Sequence, residues 1–195
     1  MKIFRASYST LSQWAAGNYD RAIEMYFHVS KYDTEAMAIG RALHDAWDKE
    51  IKSTGCMPTV FGGKPLHPEY KAEVFAHKMI APWLQLRGRL DLIEPTVGRD
   101  WKSGVTTANT YANSMQHSVY QILYPQLKRF EYHAVNPYVT HNQVTMAIVH
   151  LNQRTLRDGI EWVVTHASAM KDYIESNNLE DLFDKSKLLQ EQGGK

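Results

Sequence analysis

The strongest constraint lies in the middle of the chain, where Leu84, Leu86, Leu90 and Leu92 alternate with Gln85, Arg87, Arg89 and Asp91. Successive side chains of an extended strand point to opposite faces. The pattern therefore predicts a strand over Leu84 to Ile93, with the leucines in a core and Asp91 on the other face. A turn at Pro95 to Gly98 returns the chain as Arg99-Asp100-Trp101-Lys102. There the same period puts Asp100 and Lys102 on one face and Trp101 on the other. A hairpin of this size can bring two carboxylates and an ammonium to one end of a sheet. Neighbouring carboxylates repel, and one pKa rises unless a divalent cation sits between them. Hard oxygen ligands suit Mg²⁺ or Mn²⁺, and such an ion can hold a phosphate oxygen, acidify a bound water and stabilise a departing alkoxide. Lys102 would orient the attacking water or neutralise charge developing on phosphorus. Taken alone, Asp and Lys two residues apart are commonplace on a solvated strand face and are weak evidence for catalysis.

The flanking sequence supplies the rest of an α/β layout. Ser9 or Thr10 can cap a helix whose apolar positions run through Leu11, Trp14, Ala15, Ala22, Ile23, Tyr26 and Phe27, with Gly17-Asn18 as a candidate break. Thr34 opens a second helix with Ala36, Ile39, Leu43, Ala46, Trp47 and Ile51 on one stripe and His44 at its edge. Ser53 to Glu69 holds Gly55, Pro58, Gly62, Gly63, Pro65 and Pro68, so a long loop or flap is expected. Tyr70 to Ile80 reads as a strand. One amphipathic helix is expected from Tyr111 to Leu123, with Gln116 and Tyr120 sharing a face and Pro125 ending or kinking it. Phe130 to Asn136 and Gln143 to Val149 read as a hairpin pair around Pro137, and Leu156 to Ile174 as a closing helix. The order is helix, helix, three strands, helix, two strands, helix, which gives an α/β fold with a mixed central β-sheet flanked by helices.

Composition narrows the chemistry. The 195 residues carry one cysteine, Cys56, which closes no intrachain disulfide and cannot supply the thiolates of a zinc ribbon or an iron–sulfur cluster. No run approaches the 18 or so apolar residues of a membrane helix, and the opening residues contain no apolar signal stretch. A soluble, cytoplasmic protein with no membrane partner is the expectation. The net charge of +1 does not announce a polyanion binder. The stretch Gln85 to Phe130 is nonetheless basic, and Asp172 to Lys195 has six acids against three lysines.

Five short segments in order resemble the PD-(D/E)XK nuclease superfamily, in its RecB-like/Cas4-like exonuclease branch. Ser7-Tyr8-Ser9-Thr10-Leu11 is similar to that branch's opening helix, and Gly40-Arg41-Ala42-Leu43-His44 to its G-x-x-x-H helix. Gly88-Arg89-Leu90-Asp91-Leu92-Ile93 resembles its G-R-x-D strand. Asp100-Trp101-Lys102-Ser103-Gly104 resembles its D-Y-K-T-G strand, and Gln116-His117-Ser118-Val119-Tyr120 its Q-x-x-x-Y helix.

The resemblance implies a restriction-endonuclease-like core, forming a single nuclease domain over residues 1–180 with a frayed or disordered tail over 181–195. It implies that His44, Asp91 and Asp100 are metal ligands together with the Trp101 carbonyl, and that Asp91, Asp100 and Lys102 are catalytic. Gln116, Tyr120 and Arg89 would bind substrate. A nitrogen donor favours Mn²⁺ over Mg²⁺. Cas4 relatives carry cluster cysteines that are missing here, so the iron–sulfur cluster is expected to be absent. Phe61-Gly62-Gly63-Lys64 lacks the spacing of a Walker phosphate loop, so any helicase or recombination partner would be a separate chain. The expected activity is metal-dependent hydrolysis of DNA phosphodiesters, as a single-strand or DNA-end exonuclease in recombination, repair or phage replication. A structure-specific or nicking endonuclease and a non-cleaving DNA-end binding module stay open, as does a homo-oligomer. Tyr8 and Tyr111 are candidates for base stacking, with helix packing as the simpler reading. His67, His77, His117, His133, His141, His150 and His166 show no ligand spacing.

Overall fold

The computed structural model describes residues 3–29, 34–104, 107–138, 143–181 and 183. Its elements, in chain order, are β1 Phe4–Ser7, α1 Tyr8–Ala15, α2 Tyr19–Phe27, α3 Glu35–Thr54, a 3-10 turn Thr59–Phe61, β2 Lys71–Ala81, β3 Leu84–Glu94 and β4 Val97–Ser103. They continue with α4 Ala108–Ala112, α5 Gln116–Leu123, β5 Arg129–Asn136, β6 Gln143–His150 and α6 Gln153–Ser176. The strands form one mixed sheet in the order β1-β3-β4-β5-β6, with β2 also paired to β3. β4 runs parallel to β5 and antiparallel to β3, and β6 is antiparallel to β5. The expected α/β class and mixed sheet are present. Among the described residues, no helix is long and apolar enough to cross a membrane.

The chain divides into two compact units, residues 1–31, 79–86 and 161–195 in one and 32–78 and 87–160 in the other. The first is held by aromatic packing. Phe4 stacks on Tyr26 with centroids 4.7 Å apart, and Trp14 packs on Tyr19 at 4.6 Å and Tyr173 at 5.4 Å. Leu11, Leu84, Leu86, Met170 and Ile174 of the same unit are buried. β1 is an addition to the sequence reading, since four residues, Phe4-Arg5-Ala6-Ser7, are too few to establish a period. It also moves the helix cap. Ser7, not Ser9 or Thr10, accepts the Thr10 N–H, and the expected break falls at Gly17-Asn18 between α1 and α2.

The second unit holds β4–β6, most of β2 and β3, and the helices α3 to α5. Thr34 caps α3 as expected, its Oγ1 accepting from Met37 N at 3.2 Å. Trp47 and Ile51 of that helix are buried with Met57, Leu66, Leu92, Trp101 and Val135. Ser53 to Glu69 is therefore fastened rather than a free flap. Met57 and Leu66 enter the core, Cys56 bridges to Pro65, Thr59 N donates to Glu50 Oε1 at 2.8 Å, and Phe61 stacks on Trp101 at 5.2 Å. The single helix expected from Tyr111 to Leu123 is two. α4 stops at Ala112, and Ser114 Oγ accepts from Gln116 N at 3.0 Å to start α5, a side-chain-to-backbone competition at which serine excels. The hairpin about Pro137 is present as β5–β6, pairing Asn136 with Gln143. The predicted tail, apart from Asp181 and Phe183, and His141 lie outside the described residues.

Close approach explains Gly88. A Cβ there would sit 2.7 Å from Leu123 Cδ1 and 3.2 Å from Tyr120 Cε1, so α5 lies directly on β3. Gly88→Ala should overpack this contact and cost about 1–3 kcal/mol, read as a lower urea midpoint with an unchanged slope.

A buried charge network ties β3, β4 and β5 together. Glu131 pairs with Arg99 Nε at 2.7 Å, Arg129 Nε at 2.8 Å and His133 Nε2 at 3.1 Å, and Arg99 also pairs with Glu94. Burial pushes the Glu131 pKa up, but the His133 hydrogen bond and the Arg99 and Arg129 charges outweigh it and hold it at about 2. The stability this carboxylate contributes is complete above its ordinary value of 4.5 and is lost as the pH falls through 2. Glu131→Gln should destabilise the chain at neutral pH by on the order of 3 kcal/mol. It should also flatten the acid loss of stability between those values, measured by denaturant melts along a pH series.

Candidate active site

The site begins where the β3–β4 ladder stops. The two strands pair Glu94 with Val97, Ile93 with Gly98 and Leu92 with Arg99. Beyond that rung the Trp101 N–H donates to Asp91 Oδ2 at 2.7 Å. The aspartate side chain thus takes the backbone donor that another rung would use. This fixes the Asp91 carboxylate beside β4, where Asp100 is 4% exposed and Asp91 9% exposed.

Asp100 is held from two sides. Its Oδ1 accepts from Gln116 Nε2 at 3.0 Å. Its buried Oδ2 is ion-paired to Lys102 Nζ at 2.5 Å. Burial raises the Asp100 pKa above the ordinary carboxylate range. Lys102 opposes this and Asp91 adds to it. Burial pulls the Lys102 pKa down, but the Asp100 carboxylate more than reverses this, so the amine stays a charged ammonium. Period-2 geometry placed Asp100 and Lys102 together correctly, and Trp101 is 3% exposed in the core on the opposite face.

α3 brings the imidazole. His44 Nδ1 is 3.6 Å from Asp91 Oδ1. The approach needs a glycine one turn earlier, because a Cβ on Gly40 would lie 2.8 Å from Ser103 Oγ at the end of β4. α5 brings Gln116 and Tyr120. The Tyr120 hydroxyl donates to the Arg89 carbonyl, and burial, reinforced by the Asp100 and Asp91 charges, raises its pKa so that it remains a donor. A cavity of about 620 Å³ is lined by His44, Asp48, Glu73, Arg89, Asp91 and Trp101, among others.

All eight residues singled out from sequence (His44, Arg89, Asp91, Asp100, Trp101, Lys102, Gln116 and Tyr120) fall in this one region of the second unit. Glu73 and Asp48 of the cavity wall were missed. Asp48 lies one turn beyond His44 on α3, a spacing that could have found it. Glu73 gives no sequence signal; it adopts a φ of 49°, a left-handed conformation costly for a residue with a Cβ, beside the cavity. Tyr111, the base-stacking candidate, is buried and stacked on Tyr132 at 5.4 Å, and Tyr8 packs on Trp162 at 5.8 Å. His117 is buried on the Tyr132 hydroxyl, and desolvation lowers its pKa to about 4, so it is a neutral structural imidazole.

Among the described residues, no three His, Cys, Asp or Glu side chains already form a metal cage. The donor chemistry of His44, Asp91 and Asp100 nevertheless suits a hard divalent cation. It offers two buried carboxylates, the charge of Asp91 raising the proton affinity of Asp100, and one imidazole beside them.

The model of the PD-(D/E)XK nuclease superfamily matches residues 12–191. No curated protein matches the sequence. Among solved structures, the crystal structure of SSO0001 is similar with a TM-score of 0.57 at 13% identity, over 85% of this chain and 77% of that one. The alkaline exonuclease LHK-Exo from Laribacter hongkongensis is similar with a TM-score of 0.53 at 13% identity, over 96% of each chain, and has also been solved in complex with dAMP. A phage-related exonuclease from Haemophilus somnus 129PT is similar with a TM-score of 0.53 at 12% identity, over 91% of this chain and 96% of that one. At such identities the likeness carries the fold, and the family match extends over nearly the whole sequence. The chain belongs to the PD-(D/E)XK nuclease superfamily.

Proposed function

We propose that this protein is a divalent-metal-dependent deoxyribonuclease that hydrolyses phosphodiesters, acting as an exonuclease on single strands or DNA ends. The observation that carries the reading is the cluster in which His44 reaches Asp91, Asp91 holds the Trp101 N–H and Asp100 pairs with Lys102, in a chain of this superfamily. Two fold relatives are exonucleases and one of them has been solved with dAMP, which supports the preference for strand ends. Asp91, Asp100 and His44 are the residues that would hold Mg²⁺ or Mn²⁺, together with the Trp101 carbonyl. When bound, such an ion supplies Lewis-acid charge at the phosphate and acidifies water.

The chain's own groups do the rest. Lys102, kept as an ammonium by Asp100, neutralises charge that builds on the phosphoryl oxygens as water attacks. Gln116 holds the Asp100 carboxylate in one orientation, leaving Oδ2 toward Lys102. Tyr120 pins the backbone at Arg89, whose guanidinium lines the cavity as a phosphate contact. Asp91 fixes its own position by holding the Trp101 N–H.

The test uses 5′- and 3′-labelled single- and double-stranded oligonucleotides with Mg²⁺, Mn²⁺ or EDTA. Wild type should degrade DNA only with metal. Asp100→Ala and Lys102→Ala should lose at least about a hundredfold in kcat. The label released first gives the polarity. Intact DNA in every metal, with a salt-sensitive gel shift, would make the protein a binding module instead.

A further inference from the structure

β2 carries its residues in alternation, and one face of it is left in water. Glu73, Phe75 and His77 are exposed while Ala72, Val74 and Ala76 are half-buried. Phe75 is 75% exposed, the most exposed large hydrophobic side chain among the described residues. A lone exposed apolar residue needs no explanation, but this one has a specific setting. The Arg89 guanidinium lies 5.9 Å from the Phe75 ring centroid, within cation–π range, and its Nη1 lies 3.5 Å from Glu73 Oε1. Arg89 and Glu73 both line the cavity that also holds His44, Asp91 and Trp101. A free aromatic face, a cation and the carboxylate site therefore follow one another along the surface of the second unit.

We propose that Phe75 is a stacking ledge for an unpaired nucleobase of the substrate strand, with Arg89 meeting the phosphate between that base and the carboxylates. The inference rests on the nuclease reading above and deepens it, by assigning the substrate as a strand that is single where it passes β2. Bases within a duplex already stack on their neighbours and offer no free face, whereas an unpaired base stacks on any aromatic ring regardless of sequence. The cation beside the ring matches the alternation of base and phosphate along a strand, a complementarity that an apolar peptide would leave unused. Because the ring contributes little buried area, its removal leaves the fold intact.

The experiment places 2-aminopurine at each of the first four positions from either end of a single-stranded oligonucleotide. Fluorescence is read on binding in EDTA to wild type, Phe75→Ala and Phe75→Trp, and steady-state cleavage is measured in Mg²⁺ or Mn²⁺. Wild type and Phe75→Trp should quench one position that Phe75→Ala leaves bright. Phe75→Ala should raise KM about tenfold, within the range stacking of one base gives, and this difference should vanish when that position is abasic. Unchanged quenching and KM in Phe75→Ala, with cleavage intact, would overturn the ledge and leave the nuclease reading standing. A wild type that neither binds nor cleaves DNA would overturn both.

Discussion

The site depends on a single hydrogen bond, from the Trp101 N–H to Asp91 Oδ2. A backbone donor buried between strands must be satisfied, and leaving it bare costs about 1–3 kcal/mol. Asp91 meets that demand with its side chain at the point where the ladder with β4 ends. The carboxylate is thereby locked beside a strand that carries a second buried carboxylate, Asp100, one residue before Trp101. Holding two like charges together out of water opposes folding. The fold sustains it because Lys102, Gln116 and His44 reach the pair from β4, α5 and α3, and because the rest of the second unit is tied down independently by the Trp47–Trp101 core and the Glu131 network.

Two glycines make those approaches. Gly40 lets α3 come close enough to Ser103 to offer His44, and Gly88 lets α5 lie on β3 to offer Gln116 and Tyr120. Both stand in the motifs that carry the family resemblance, and in each case the cause is steric: the missing Cβ is where the neighbouring element sits. The motif residues thus divide into those that touch the cavity and those that set the distance from which others touch it.

Much of this was legible in the sequence because strand periodicity is strict. Alternation alone put Asp100 with Lys102, and the structure has that pair; it also put the leucines on one face, whereas Leu90 turns toward Gly98 and Leu92 packs with Trp47 and Trp101. The long stripe of α3 and the β5–β6 hairpin were equally plain, since each repeats its period several times. What escaped is what periodicity does not encode. β1 is too short to show a period, Ser114 interrupts α4 and α5 through a side-chain bond rather than a helix breaker, and the Gly- and Pro-rich stretch 53–69 owes its order to contacts with residues such as Glu94 and Trp101 that are distant in sequence. Glu73 reaches the cavity through a left-handed backbone that no glutamate announces.

In the proposed mechanism Asp91 and Asp100 would form a divalent-cation site whose charge Lys102 partly supplies when no ion is bound. Calorimetric titration of Mn²⁺ into the wild type, Asp91→Ala, Asp100→Ala and Lys102→Ala tests it without reference to cleavage. Binding to the wild type should be saturable, at least tenfold weaker in either aspartate variant, and retained or tightened in Lys102→Ala, where the ammonium no longer competes for Asp100 Oδ2. Equal Mn²⁺ affinity in the wild type and both aspartate variants would contradict it.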